Sequence, residues 1–466
     1  MRTRARNAHS VELAVLFTVG LGGMLIPLNS TMVAVAIPNI TAQLDASLTQ
    51  SGWLITAYLI TMAAFQPIAG KLGDRYGRRM FLLGGYGVFG LASVGAAVSP
   101  NILLLIACRA GQALAGSVIF PNGSALLRQI VPAERRGARF GLLGSSIAFG
   151  AAVGPPLGGF LLEVGDWPAI FWVNLPLCAI VLAIAIRTIP PDRSAHVAAR
   201  FDLLGSAILA LVLSAGAWLL TRIGDVSRDV AIGLGVGLAA MFVAFVLHEL
   251  RHADPVVQPR FFKRRTFASA TAAIALSNLG LYVLLIAVPF LLDERPGWSE
   301  ARIGLVLTSM SAGMVLLAPI GGRLSDRLGR RAPAVAGMTL LAGGTGALAL
   351  IGSDVAGGLL VPILAVSGIG IGLGSGSLQT SAIESIEPEH AGMAAGASST
   401  SRYLGSIVGI AVFAGVVASG KGLGPVFWMT ALAAAAAIPL AFALPSRRPS
   451  SPEGHHEPEA EEVTPV

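Results

Sequence analysis

A ten-residue segment occurs twice in the chain, each time between two long apolar runs. It reads GKLGDRYGRR at 70–79 and GRLSDRLGRR at 322–331, which is 252 positions later. The flanking runs are long enough to cross a bilayer, for which about 20 residues suffice. Gly, Leu, Asp-Arg and Gly-Arg-Arg recur at identical offsets, which indicates one structural unit used twice. The repeat therefore predicts a duplicated helical fold in a membrane.

The composition excludes an ordinary soluble protein. Of the 466 residues 54% are hydrophobic and 12% are charged, and the mean hydropathy is +0.74, whereas soluble chains carry roughly 25% charged residues. The net charge of +7 is spread over short clusters between apolar runs, so the expected partner is a lipid bilayer and not nucleic acid. Cys108 and Cys178 lie in apolar runs, which favours buried thiols over a disulfide. No Gly-rich phosphate loop is present, and we expect neither an enzyme nor an ATP-driven pump.

Fourteen apolar runs predict an all-α, multi-pass membrane protein with fourteen spans. The runs lie at about 11–38, 51–70, 80–98, 101–126, 139–162, 169–188, 203–221, 229–248, 267–291, 302–322, 333–352, 356–381, 392–418 and 425–444.

The distribution of basic residues predicts the orientation. If the N-terminus is cytoplasmic, most of the 32 Lys and Arg residues fall in cytoplasmic segments, as the positive-inside rule requires. The five on the other side are Arg222, Arg228, Arg295, Arg302 and Lys421. Both termini are therefore expected in the cytoplasm.

The spacing of the repeat divides the chain into two six-helix bundles with an inserted helix pair. Such a pair of bundles is typical of transporters, whose substrate site lies between the halves. The predicted segments are a cytoplasmic N-terminus at 1–10, a first bundle at 11–189, a linker at 190–202, the inserted pair at 203–248, a connector at 249–266, a second bundle at 267–445 and a disordered tail at 446–466. His455 and His456 in the tail are expected to be solvated, and no metal site or cofactor is predicted.

Five segments resemble the major facilitator superfamily, and specifically its fourteen-helix drug exporter branch, whose members are typically drug:proton antiporters. The repeated decapeptide is similar to the signature of the loop between helices 2 and 3. The others are LNSTMVAVAIP at 28–38, RAGQALAG at 109–116, GAAVGPPLGG at 150–159 and FWVNLP at 171–176. The resemblance implies a monomeric multidrug exporter of the cell membrane that contributes to antibiotic resistance and takes small amphipathic substrates, with protons as a candidate coupling ion.

The repeated loops are the predicted gate. A Gly permits a tight turn, and planar guanidinium groups suit carboxylates and helix C-termini. We expect each set to hold the cytoplasmic ends of the two bundles together when the inner gate is closed. The residues are Asp74, Arg75, Arg78 and Arg79 in the first half and Asp326, Arg327, Arg330 and Arg331 in the second. The alternative is that these arginines only enforce topology.

Two motifs inside the spans carry further predictions. The small residues of helix 5 permit close packing and the proline a bend, and in the family this motif is a feature of exporters; its members are Gly150, Gly154, Pro155, Gly158 and Gly159.

Intramembrane arginines are costly and by default functional, so the predicted substrate or coupling residues include Arg109, with Gln112 on its face, and Arg402. Each arginine could instead bond polar partners within the bundle. Asn122 and Asn278 are the better candidates among the other polar residues.

Asn29 departs from the family pattern, which usually has a carboxylate there. Asn cannot titrate, so three couplings stay open: protons that reach Asp74 or Glu163 through water, a charged substrate driven by the membrane potential, or uncoupled facilitation. A lipid or lipid-like exporter is the alternative substrate class. A non-transporting membrane sensor is disfavoured, because a sensor does not need paired gating loops.

Overall fold

The computed structural model describes residues 2–191, 202–222, 226–293, 300–352, 355–418 and 422–446. Within these ranges the chain forms fourteen α-helices. They are α1 (Arg2–Gln43), α2 (Leu48–Tyr76), α3 (Arg78–Ala97), α4 (Ile102–Ile130), α5 (Arg136–Trp172), α6 (Asn174–Thr188), α7 (Leu203–Arg222), α8 (Arg228–Arg251), α9 (Arg265–Asp293), α10 (Glu300–Leu328), α11 (Arg331–Ile351), α12 (Gly357–Glu384), α13 (Ala391–Ala418) and α14 (Gly424–Phe442). Short 3-10 helices at Ala133–Arg135, Pro259–Lys263 and Pro388–His390 precede α5, α9 and α13.

The all-helical fold is confirmed. Each predicted apolar run falls on one helix, except that the run at 169–188 covers the end of α5 and all of α6. Twelve spans in the described ranges are long and apolar enough to cross a membrane. One of them, Ala133–Thr188, contains both α5 and α6, and the apolar part of α7, Leu203–Gly216, is shorter. The count of fourteen membrane spans therefore stays a prediction. Most of the predicted linker and nearly all of the predicted tail lie outside the described residues.

Helix breaks occur where the local sequence permits them. Gly77 and Gly329 in the repeated loops have φ of 107° and 88°, a region that residues with a Cβ rarely adopt. Asp166 has φ of 61° inside α5, and its carboxylate accepts the N–H of Trp167. This break turns the last residues of α5 into a separate segment before α6.

Apolar packing supports two halves that meet each other. One core cluster, which includes Met32, Leu105 and Phe171, lies wholly in α1–α6, and another, which includes Val283 and Phe427, lies wholly in α9–α14. Two further clusters combine residues of both halves. Helix α7 packs against α8, α2 and α13, so the inserted pair lies on the outside of the junction.

Several loops and helix ends meet at one end of the molecule, which we call the repeat end because it carries both copies of the decapeptide. There the N–H of Arg331 donates to the carbonyl of Pro445 beyond α14. Arg139 near the start of α5 forms an ion pair with Glu12 of α1 at 2.5 Å. Glu12 of α1 and the end of α14 therefore lie near the second repeated loop.

Candidate functional site: crossed helix caps and buried arginines

The first repeated loop caps a helix of the opposite half. One carboxylate oxygen of Asp74 accepts the backbone N–H of Gly392 at 3.0 Å, and the other accepts that of Met393 at 2.8 Å. Arg78, one turn further on, donates to the same carboxylate at 2.8 Å and also to the carbonyl of Pro388 at 3.2 Å. Asp74 therefore lies at the N-terminus of α13, held in place by its own arginine.

The second repeated loop makes the equivalent contacts in the opposite direction. Asp326 accepts the N–H groups of Gly137 and Ala138 at 2.8 and 2.7 Å, at the start of α5. Arg330 donates to Asp326 at 2.8 Å and is 2% exposed. Each half therefore caps a helix of the other half through one Asp and one Arg.

The chemistry of helix ends explains why an Asp is used. The first N–H groups of a helix have no partner within it, and the helix dipole favours a negative charge there. At the first of the two capped positions in each helix there is room only for glycine. A Cβ on Gly392 would lie 2.5 Å from an Asp74 oxygen, and one on Gly137 would lie 2.5 Å from an Asp326 oxygen.

The last arginine of each loop bonds a carbonyl of its own half. Arg79 donates to the carbonyl of Ile186 at 2.9 Å, and Arg331 donates to that of Leu444 at 3.0 Å. These carbonyls lie near the ends of α6 and just beyond α14, so each arginine holds the last helix of its own half.

Arg75 and Arg327 differ from each other. Arg75 lies 3.1 Å from Asp254 of the connector, which also contacts Lys71. Arg327 has an exposed side chain. Both were predicted to hold the bundles together, and in this conformation Arg75 joins the first repeated loop to the connector.

Sequence reasoning missed further contacts between the halves at the repeat end. Arg128 donates to the carbonyl of Ile386 at 2.6 Å. Glu384 lies 3.2 Å from both Arg136 and Arg330. A weaker repeat could have identified this region, because PAERRG at 132–137 and EPEHAG at 387–392 precede the two capped helices. Together with the caps, these contacts close the repeat end in this conformation.

The first half contains a buried polar network centred on Arg109. Arg109 is fully buried; it donates to the side-chain oxygens of Gln112 at 2.9 Å and of Asn29. Its guanidinium lies over the ring of Tyr58, 4.3 Å from the ring centre. Gln112 in turn donates to Ser93 at 2.8 Å.

The network lacks a carboxylate among the described residues. One terminal nitrogen of Arg109 and the amide nitrogen of Asn29 have no hydrogen-bond partner there. A buried cation without a counter-charge is costly, so Asn29 and Tyr58 offset only part of the cost of burying Arg109.

Arg402 occupies a different environment in the second half. It is partly buried and donates to the side-chain oxygen of Gln379 at 2.7 Å. Its guanidinium lies 5.1 Å from the ring centre of Phe120 on α4. Arg402 therefore contacts both halves.

The two asparagines singled out from the sequence are placed within helix packing. Asn122 is fully buried and donates to the carbonyls of Ala69 on α2 and Val118 at 3.1 and 2.8 Å. Asn278 is partly buried and donates to Ile274 of its own helix at 2.9 Å. Asn122 thus joins α4 to α2. The side-chain oxygen of Asn278 accepts no hydrogen bond from the described residues.

The glycine motif of α5 packs against α1 along one face. A Cβ on Gly150, Gly154 or Gly158 would lie 2.5, 1.8 or 3.1 Å from atoms of α1. Gly159 has nothing within 4 Å, and Pro155 is exposed. In α12, glycines 368 and 372 similarly lie against α10.

Comparisons with known proteins identify the family. Residues 19–248 and 270–465 match the model of the Major Facilitator Superfamily. The chain is 35% identical over 409 residues to the uncharacterized MFS-type transporter YvkA of Bacillus subtilis, covering 86% of this chain and 90% of that protein. It is 30% identical over 416 residues to the multidrug resistance protein Stp of Mycobacterium tuberculosis, covering 88% and 77%.

A solved structure supports the same fold. The human organic anion transporter MFSD10 (TETRAN) superposes with a TM-score of 0.70 at 17% identity, over 92% of this chain and 99% of that one. The chain belongs to the Major Facilitator Superfamily and is a membrane transporter, not an enzyme.

Proposed function

We propose that this transporter is a fourteen-span, proton- or potential-coupled exporter of small amphipathic molecules from the drug exporter branch. It lies in the cell membrane as a monomer with both termini in the cytoplasm. The observation that carries the proposal is the pair of crossed caps. Because each cap joins one half to the other, both must break before the halves can separate at the repeat end, as alternating access requires.

With cytoplasmic termini, the closed repeat end is the inner gate, and the described conformation faces outward. The similarity to a multidrug resistance protein supports export of drug-like compounds. Arg109 and Arg402 are then the residues that bind an anionic substrate group or orient the polar groups around it. Gln112 and Asn29 position Arg109, while the side-chain oxygen of Asn278 can accept a hydrogen bond from the substrate.

The coupling proposal follows from where the carboxylates lie. Asn29 faces Arg109 and cannot carry a proton. Asp74 accepts four hydrogen bonds in the closed gate, two from Arg78 and two from the backbone of α13, and would lose the two backbone bonds on opening. It is therefore our first candidate for a proton-linked residue; a charged substrate driven by the membrane potential is the second, and uncoupled facilitation the third.

A lipid-like substrate is the second candidate, and it is favoured by an apolar groove on the surface of the helix bundle. The groove has a volume of about 740 Å³ and is lined by α1, α5 and α6 of the first half and by Val315 of the second. Phe17 and Phe149 in its wall are 53% and 50% exposed. An apolar groove at the junction of the halves could admit a molecule directly from the bilayer.

Transport in liposomes tests both candidates. Purified protein is reconstituted, and the uptake of an amphipathic fluorescent dye and of a fluorescent phospholipid is followed while ΔpH and membrane potential are imposed separately. Dye movement above that of protein-free liposomes supports the drug exporter, and phospholipid movement alone supports the second candidate. A response to ΔpH supports antiport, and a response only to potential supports a charged substrate.

The control separates gating from insertion. Asp74→Asn should insert normally and transport slowly, whereas Asp229→Asn, at an exposed position in the first turn of α8, should transport as the parent does. Movement of neither probe, or full activity of Asp74→Asn, would contradict the proposal.

A further inference from the structure

Two imidazoles and two carboxylates meet where the inserted helices end at the repeat end. Asp202 precedes α7, and His248, Glu249 and His252 lie at the end of α8. The His248 Nε2 atom is 2.8 Å from an Asp202 oxygen, and the His252 Nδ1 atom is 3.8 Å from the same oxygen. Asp202, His248 and His252 each offer one ligand atom, and these three atoms lie within 4.8 Å of one another.

Glu249 adds a buried acceptor to this group. Its side chain is 1% exposed, and one of its oxygens accepts the N–H of Val257 at 3.0 Å. The other oxygen has no hydrogen-bond partner among the described residues. A Cβ on Gly205 would lie 2.2 Å from that oxygen and 2.4 Å from the Asp202 oxygen, so both oxygens lie against the same bare backbone.

The cluster therefore combines two buried carboxylates. Asp202 is contacted by His248 and by the N–H of Gly205, whereas in the described part of the chain no donor reaches the free Glu249 oxygen. Such an arrangement is unfavourable unless a cation or a proton lies between the oxygens. Both histidines are 29% exposed, which leaves a path from solvent to the cluster.

We propose that Asp202, His248, Glu249 and His252 form a binding site for a divalent transition-metal ion of the Zn²⁺ class. Imidazole nitrogens and carboxylate oxygens suit such an ion. His248 and His252 are one helical turn apart and share a face, as two ligands from one helix must. Two carboxylates neutralise the charge of the ion, and the unpaired Glu249 oxygen gains a partner.

The two histidine–Asp202 distances need only a small adjustment, and the free Glu249 oxygen would move in as the fourth ligand. Ligands bound at about 2.0–2.1 Å in a tetrahedron lie about 3.3 Å apart. The His248 nitrogen would release its proton and move a few tenths of an ångström from Asp202, and His252 would approach by a similar amount.

The site would join the inserted pair to the connector. The N–H of Asp254 donates to the His252 Nδ1 atom at 3.2 Å and would release that atom when the ion binds. The Asp254 carboxylate, two residues after His252, pairs with Arg75 of α2. An ion that fixes His252 therefore fixes the connector where it meets the first repeated loop. This role is independent of which substrate is transported.

Direct ion binding to the full-length protein tests the assignment. The protein is purified in detergent with a tag that does not bind metals, treated with a chelator, dialysed, and titrated with Zn²⁺ by calorimetry and with Co²⁺ by visible absorption. We expect one high-affinity ion per chain and the absorption bands of tetrahedral Co²⁺. His248→Gln combined with His252→Gln should weaken binding by about 100-fold or more, since two of four ligands are lost.

Two further variants make the result specific. Asp202→Asn keeps a residue that caps α7 well but removes the charge, so it should weaken binding while the thermal unfolding temperature without metal stays near that of the parent. His455→Gln with His456→Gln removes the tail histidines and should leave the high-affinity ion in place. No ion bound at micromolar Zn²⁺, or equal affinity in the parent and the His248/His252 double variant, would overturn the proposal; uptake of protons alone would replace the ion with a shared proton.

Discussion

Removal of one crossed cap should shift the transporter towards the state that is open at the repeat end. The Asp74 carboxylate accepts two backbone N–H groups of α13. Asp74→Asn leaves one neutral acceptor oxygen and places an amide N–H₂ group against a backbone donor. Charged hydrogen bonds contribute about 1.5–3 kcal/mol each and neutral ones about 1 kcal/mol. The closed state should therefore lose about 2 kcal/mol relative to the open state, which is about a 30-fold change in their ratio.

Because the two caps are equivalent, the sizes of the shifts in the two single variants and in the double variant can be compared. Asp326→Asn should produce a shift of the same size, because Asp326 accepts an equivalent pair of N–H groups. The two caps share no partner, so the double variant should shift the ratio by about 1000-fold if their effects add.

Distances between spin labels measure the shift. Met80 and Leu328 are 55% and 57% exposed. Met80 directly follows the first decapeptide, and Leu328 lies within the second, in the opposite half. With Cys108 and Cys178 replaced by alanine, labels at Met80→Cys and Leu328→Cys report the separation of the halves by pulsed electron resonance in lipid nanodiscs. We expect a longer-distance population that grows from the single variants to the double.

Two results would refute this reasoning. If both single variants retain the distance distribution of the parent, the caps do not hold the end closed. If Asp229→Asn, remote from the caps, produces the same shift, the effect is not specific to them.

The other predictions concern the helix 5 motif and the arginines. Gly154→Ala should lower the thermal unfolding temperature, because the added Cβ overlaps a threonine hydroxyl of α1 and overpacking costs about 1–3 kcal/mol, whereas Gly159→Ala, with open space around it, should leave it unchanged or raise it; equal effects would contradict the packing. Asn29→Asp supplies a carboxylate to the unpaired nitrogen of Arg109 and should raise the unfolding temperature at neutral pH, while Asn29→Leu should lower it; the reverse order would contradict the network. Arg402→Ala should slow dye efflux about tenfold, equivalent to about 1.4 kcal/mol, and the charged Arg402→Lys should slow it less; equal rates in all three proteins would assign Arg402 to packing.

The parts of the fold and site that local sequence controls could be predicted. Helix positions follow from long apolar runs, and Gly329 marks the turn that its positive φ requires. The bond between Arg109 and Gln112 follows from their spacing of three residues on one helix.

Contacts between distant segments could not be predicted, because the sequence does not specify which helix faces which. The partner of Asp74 is backbone 318 positions away, and a backbone amide leaves no signature in the sequence. The sequence around Asn122 does not indicate whether its side chain faces a cavity or α2, and only the packing of the helices distinguishes the two. Asp202 and His248 are 46 positions apart and mark helix ends in sequence, so their meeting depends on how α7 and α8 pair.

The use of backbone groups as partners of Asp74 and Asp326 has a consequence for how freely the protein can diverge. A cap of this kind does not depend on a matching side chain in the opposite half, so most positions in the capped turns can change without loss of the contact. Only the glycine against each carboxylate is sterically restricted. Two halves that arose from one duplicated unit could therefore accumulate different substrate-facing residues independently, and a single Asp–Gly pair in each direction would preserve their ability to close on each other.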